Sequence, residues 1–337
     1  ALAAQHVALR MRKEGARWVQ TAKAQGDDPT VRLEHNVLLG RASRARALPT
    51  VDPARHRGTP VGQRLDQALS RSGAPAALLA RYRTDILRLS RERRRPGARL
   101  ELAFDEGRIS AGLPPGATRL KPTTPRFLSL CELEIECLSG SSAAVFDEAG
   151  EWIEQHGLWL DTRSKALRGE RLALGGAAAP RAARALTFSA GASLELAWVE
   201  LHRSALSTVL DNASDLAAGL HSVEHVHQLR VGLNRLRAAW RLFEDSAWSP
   251  PAPLADAVQH VFHVLGRHRD RSIWARWRER MRQPLGQDLV RQLPALPHAP
   301  AQEDPLALLR SPAVNLAWLQ WLRLCAAQGR DASKAAP

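Results

Sequence analysis

Glu132, Glu134 and Glu136 stand at alternate positions of the run Cys131-Glu132-Leu133-Glu134-Ile135-Glu136. Alternate side chains of an extended strand share a face, so these carboxylates lie roughly 7 Å apart and repel one another. A divalent cation held by two or three of them removes that repulsion, and a hard oxygen site points to Mg²⁺ or Mn²⁺. Earlier runs carry the opposite charge: Arg10, Arg12, Lys23 and Arg32 sit at alternating positions. Cations facing carboxylates across a closed sheet would bind phosphate oxygens directly and through metal. That apparatus suits attack of water on a triphosphate, where neutralisation and positioning supply most of the catalysis. Solvated strand faces are the plainer alternative, and the pattern alone leaves it open.

A second constellation has helical spacing. His227, Arg230, Asn234, Arg237 and Arg241 fall on one stripe at about 100° per residue, beside an apolar stripe of Leu229, Leu233, Leu236, Trp240 and Phe243. Solvated helices mix signs so that neighbouring charges offset one another, whereas this one stacks cations at a cost in self-repulsion. A polyanion lying along the helix would relieve that cost. His260, His263, Arg267 and Arg271 share a face of the following helical segment and could form an opposite wall.

These side chains need elements to position them. Period-two alternation predicts antiparallel strands at residues 7–12, 18–23, 31–34, 100–105 and 132–136, interrupted by helices around 62–72, 74–81 and 141–156. Between Leu174 and Ala185 the Gly/Ala-rich stretch reads as a linker. Beyond it the period becomes 3.6, with helices expected at about 191–217, 219–245, 253–281 and 305–327. Four long amphipathic segments with short connections make a helical bundle. Arg91-Glu92-Arg93-Arg94-Arg95-Pro96 reads as a solvated turn between strands. Trp240 reads as core, and Trp274 and Trp277 as packing rather than base-stacking.

Composition narrows the partners. The 337 residues carry 48 Lys+Arg against 34 Asp+Glu, a net charge of +14 that favours anionic partners. Only three cysteines occur, Cys131, Cys137 and Cys325; with no disulfide framework they suit a reducing, cytoplasmic setting. Cys131 and Cys137 share the parity of Leu133 and Ile135, so both are expected in the core. No run of 18 apolar residues appears, and no membrane partner is expected.

The motifs resemble a known family. Ala8-Leu9-Arg10-Met11-Arg12 through Trp18 and Thr21-Ala22-Lys23 is similar to the LRxR…W…TxK hairpin of the CYTH superfamily, the triphosphate tunnel metalloenzymes. Val31-Arg32-Leu33-Glu34, Thr84–Arg88, Leu100–Gly107 and the acidic run resemble its later strands, and Ser164-Lys165-Ala166-Leu167-Arg168-Gly169 its closing SKxxRG motif. The cationic helix, with Leu265-Gly266-Arg267-His268-Arg269-Asp270, resembles the CHAD domain, a helical bundle that binds inorganic polyphosphate.

The resemblance implies an α+β chain: an antiparallel β-tunnel or barrel over 1–178, incomplete at its start, then an all-α bundle over 186–337, incomplete at its end. It implies an inorganic triphosphatase using Mg²⁺ or Mn²⁺. Arg10, Arg12, Lys23, Arg32 and Arg88 would hold triphosphate oxygens. Glu34, Lys165 and Arg168 would serve the reaction, and Glu132, Glu134 and Glu136 the metal. His227, Arg230, Arg235, Arg237, Arg241, His260, His263, Arg267 and Arg271 would line the polyphosphate surface. Departures are specific. The family's opening Glu-x-Glu-x-Lys strand would precede Ala1, Leu138 stands where a basic residue often follows the acidic strand, and Asn234 replaces a usual arginine. A non-catalytic polyphosphate-binding protein, and an adenylate cyclase or thiamine triphosphatase, are the alternatives. Nucleic acid is not expected as a specific partner, although any basic helix offers counterion release.

Overall fold

The computed structural model describes residues 2, 5, 7–25, 32–41, 49–71, 78, 80–111, 126–175, 179–220, 222–244, 249–285 and 303–334. The chain divides into two compact units, Ala1–Arg81 and Tyr82–Pro337.

The first unit is a three-stranded antiparallel sheet in the order β1 (Val7–Glu14), β2 (Arg17–Gln25), β3 (Arg32–Arg41), followed by helix α1 (Pro60–Ser70). Gly15, at φ 56°, supplies the left-handed residue that the two-residue β1–β2 turn needs. Alternation sorts the faces. Val7, Ala22 and Ala24 pack with Val61, Leu65 and Ala68 of α1. Arg10, Thr21 and Asn36 share one rung of the other face, and Lys23 and Glu34 pair on the next. Thr59 starts α1 by accepting a hydrogen bond from the Gly62 amide, with Pro60 in the first turn. The helix expected at 62–72 therefore begins two residues earlier.

A second antiparallel sheet opens the other unit, with β4 (Tyr82–Arg95), β5 (Ala98–Ala111) and β6 (Arg126–Gly140) in that order. Helix α2 (Ala143–His156) packs on the lower part of one face, over Leu100, Leu102, Leu133, Ile135 and Cys137. Helix α3 (Lys165–Leu174) touches all three strands. After it come α4 (Leu194–Ala217), α5 (Val223–Leu242), α6 (Ala252–Leu285), α7 (Pro305–Arg310) and α8 (Pro312–Lys334). Their core contains Val209, Leu229, Leu233, Leu236, Val258, Val261, Leu265, Trp318 and Trp321. The expected apolar stripe of α5 is thus its packing side. Trp240 is half-buried against that core. No helix among the described residues is long and apolar enough to cross a membrane.

Four expectations are corrected. Arg91–Arg95 is not a turn but the end of β4, because α2 presents Glu148 and Glu151 to it. Arg93 lies 2.9 Å from Glu148, and Arg95 donates to Glu148 at 2.7 Å. The turn itself is Pro96-Gly97. Cys131 is exposed rather than core, since α2 stops short of its end of the sheet and leaves Leu87 and Leu89 bare as well. Leu78, Ala80 and Arg81 are not helical, and the rest of the helix expected at 74–81 lies outside the described residues. The last expected helix, 305–327, is broken at Ser311, where Pro312 opens α8.

Candidate metal and phosphate site

Strand register places Arg88, Asp105 and Glu132 on one rung of β4, β5 and β6, and Ser90, Ala103 and Glu134 on the next. Asp105, Glu132 and Glu134 each offer one oxygen, and the three oxygens lie within 4.8 Å of one another. Three carboxylate oxygens at that spacing suit a hard divalent cation. Glu136 sits one rung further on, opposite Glu101 and outside this cluster.

Asp105 was not singled out by sequence reasoning. Its parity with Glu101 put it on the charged face, yet only the β5–β6 register shows that it meets Glu132. Its side chain is completely buried, so an unpaired carboxylate there would be expensive. Arg88 donates to it from Nε and Nη2, both at 2.7 Å, and Lys165 Nζ lies 2.7 Å away. Burial pushes the Asp105 carboxyl upward, but the hydrogen bonds from Arg88 and Lys165 outweigh it and hold its pKa below the ordinary value. Glu134 is lowered in the same way, with burial opposed by Lys165 and Arg88 at 2.6 Å each. Lys165 gains the converse shift. Burial alone would lower it, and its bonds to Asp105, Glu132 and Glu134 raise it.

Helix α3 delivers Lys165 and Arg168, while Arg88 comes from β4. Ser164 caps it by accepting from the Leu167 amide at 3.2 Å, which fixes Lys165 in the first turn and Arg168 one turn later on the same side. Arg168 pairs with Glu132. Gly169 is pressed against the Tyr82 ring, where any Cβ would collide. The serine, lysine, arginine and glycine of the closing motif therefore each have a distinct physical task.

The first unit holds its own polar face. Lys23 Nζ lies 2.6 Å from Glu34, and Asn36 donates to the other Glu34 oxygen at 3.2 Å. Burial would raise the Glu34 carboxyl, but Lys23, Asn36 and the charge of Arg10 lower it. Arg12 pairs with Glu14 at 2.6 Å. Arg32 belongs to β3, and its side chain lies outside the described residues.

In the bundle, Arg230 donates to the Phe262 carbonyl at 2.7 Å and lies over the Phe262 ring, centroid distance 4.2 Å; Arg237 covers the same ring at 4.7 Å. Gly266 leaves room for the Arg230 guanidinium. Burial, with the like charges of Arg269 and Arg237, lowers the Arg230 pKa. Among the described residues, none of Arg230, Arg237 and Arg241 forms an ion pair with a carboxylate. His227 lines a cavity of about 540 Å³ with Ser222, Val223, Glu224, Arg269, Ile273 and Arg276. Sequence reasoning missed Arg269 and Arg276, although they lie one heptad apart on the α6 stripe that meets α5. His260, His263, Arg267 and Arg271 sit roughly half a turn round α6 from that stripe. His260 is 2.7 Å from Glu303. Arg235 turns away, donating to the Arg184 carbonyl at 2.5 Å.

Residues 1–169 match the family model described as CYTH domain, and residues 200–337 the one described as CHAD domain.

Proposed function

From the premise that this chain belongs to the CYTH family and carries a CHAD domain after it, we propose that it hydrolyses inorganic triphosphate with Mg²⁺ or Mn²⁺ and binds inorganic polyphosphate through its helical domain. The proposed domains are 1–178 and 186–337. The observation that carries the reading is the cluster of Asp105, Glu132 and Glu134 interleaved with Arg88, Lys165 and Arg168.

Asp105, Glu132 and Glu134 would hold the metal. When bound, it would neutralise phosphate charge and make coordinated water a better nucleophile. The chain's own residues supply the rest. Arg88 grips Asp105 with Nε and Nη2 and would offer the rest of its guanidinium to a phosphate oxygen, while Lys165 acts as a point charge that can move from carboxylate to phosphate. Asp105, depressed in pKa and buried, stays ionised and keeps both cations in place before substrate arrives. Such preorganised charge, fixed before the reaction, stabilises the charge that develops as the phosphoanhydride breaks. In the first unit, Arg10 and Lys23 would hold phosphate oxygens and Glu34 would serve the reaction in this reading. Polyphosphate is assigned to Arg230, Arg237, Arg241 and His227, because none of these arginines forms an ion pair with a carboxylate among the described residues.

The test is phosphate release from inorganic triphosphate with Mg²⁺ or Mn²⁺, using the full-length protein. Turnover that disappears in Glu134→Gln supports the reading. Tight polyphosphate binding with no turnover in the wild type would leave a phosphate receptor instead. Displacement of polyphosphate by DNA, at equal phosphate and equal salt, would overturn the polyphosphate assignment.

A further inference from the structure

Helix α3 has little apolar anchorage. Gly169 is its one buried residue, while Leu167 and Leu174 are 38% and 64% exposed. A ten-residue helix is marginal in water without tertiary contacts, so its polar tethers decide where it sits. One side of α3 holds the carboxylate cluster through Lys165 and Arg168. Another side holds the helical domain: Arg171 donates to Asp215 of α4 at 2.5 Å.

Asp215 is 3% exposed, far too buried for an ordinary surface ion pair. Arg163, also buried, stands 3.9 Å from it and is held by Asp161 through two bonds of 2.8 and 2.7 Å. Asp161 in turn lies 3.8 Å from Arg168. The segment leading into α3 is sewn to the same bundle. The Leu160 amide donates to Asn315, and the Thr162 amide to Ser214, at 2.9 and 3.0 Å. His225, at the start of α5, faces the second Asp215 oxygen at 3.6 Å.

We propose that Asp215, a residue of the helical domain, is a positioning residue for the phosphate site of the strand domain. By clamping Arg171 and facing Arg163 it sets α3 at the depth where Lys165 and Arg168 reach Asp105, Glu132 and Glu134. The inference rests on the function proposed above and adds that the helical domain completes that site. It also has a sign that loss of folding would not imitate. Lys165 and Arg168 compete with a metal for the carboxylates but cooperate with it in binding triphosphate. Releasing α3 therefore strengthens metal binding alone and weakens triphosphate binding.

The experiment compares the full-length wild type with Asp215→Asn, Asp215→Glu and Arg171→Gln; the last cuts the same contact from its more exposed side. Three quantities are measured: Mn²⁺ affinity without phosphate, by electron paramagnetic resonance; KM and kcat for inorganic triphosphate; and amide exchange of residues 165–174. In Asp215→Asn and Arg171→Gln, Mn²⁺ is expected to bind about fivefold or more tightly, with KM raised by a similar factor. Exchange in α3 should quicken while β5, β6, α4 and α5 stay protected, and Asp215→Glu should restore part of each change. Unchanged α3 exchange and Mn²⁺ affinity, or a joint loss of Mn²⁺ binding and of protection throughout, would overturn the positioning role. A wild type that binds Mn²⁺ but leaves triphosphate intact would sink the proposed hydrolysis, while the Mn²⁺ and exchange measurements still decide the role of Asp215.

Discussion

Asp105 and Lys165 illustrate how burial and pairing work together at single side chains. Removing the Asp105 charge would leave Arg88 and Lys165 without their shared buried partner and subtract one oxygen from the cluster. Asp105→Asn is therefore expected to cut metal-dependent phosphate release by about 100-fold or more, measured beside Glu136→Gln, which should cost far less. The cysteines give a second residue-scale outcome. Burial pushes the Cys325 thiol up to about 12, whereas Cys131 is exposed. Alkylation of the native protein should label Cys131 within minutes and spare Cys325 until denaturant is added; mass spectrometry of the labelled peptides reads both. Glu132 and Glu134 were legible from alternation alone, since period two fixes a face. Asp105 was not, because no local pattern reveals which residue of β5 stands beside which residue of β6.

At the scale of elements, the switch from period two to 3.6 located the long helices closely, but period two caught only the middle of β5 and β6 and missed β4, to which only the motif resemblance pointed. Boundaries slipped where capping decided them, as at Thr59 and Ser311. The arginine run at 91–95 misled for a different reason: its partners, Glu148 and Glu151, are more than fifty residues away. The α5 stripe was readable as a cationic face. Its neighbour was not, because helical periodicity defines faces but not which face meets another helix. Gly169 gives an element-scale prediction. Gly169→Val drives a side chain into Tyr82 and should displace α3, lowering triphosphate turnover as far as Lys165→Ala does while unfolding midpoints change little. In the bundle, Leu236 is wholly buried, so Leu236→Ala should cost about 2–5 kcal/mol by urea denaturation.

For the whole molecule, acid should weaken the helical domain before it disturbs the carboxylate cluster. His202 is 1% exposed, and burial lowers its pKa from 6.5 to about 4, only partly offset by its bond to the Trp198 carbonyl. The unfolded chain takes up that proton below pH 6.5 and the folded chain does not. Stability is therefore intact above pH 6.5 and falls between 6.5 and 4, by roughly 3 kcal/mol at the lower end. Urea midpoints measured across this range should slope, and His202→Phe should flatten the slope. The excess of 14 positive charges makes long-range attraction of any polyanion strong at low salt. Polyphosphate affinity should fall steeply as salt rises, and less steeply for Arg230→Ala combined with Arg237→Ala.

Trp274 and Trp277 lie face to face, with centroids 4.9 Å apart and planes within 10° of parallel. Two indoles held so closely share their excited states and should give a paired, opposite-signed band in circular dichroism. The pair flanks Arg276 and follows Ile273, both of which line the cavity at the start of α5. The molecule thus carries a built-in optical gauge: an anion drawing Arg276 toward it should change that band without any added dye.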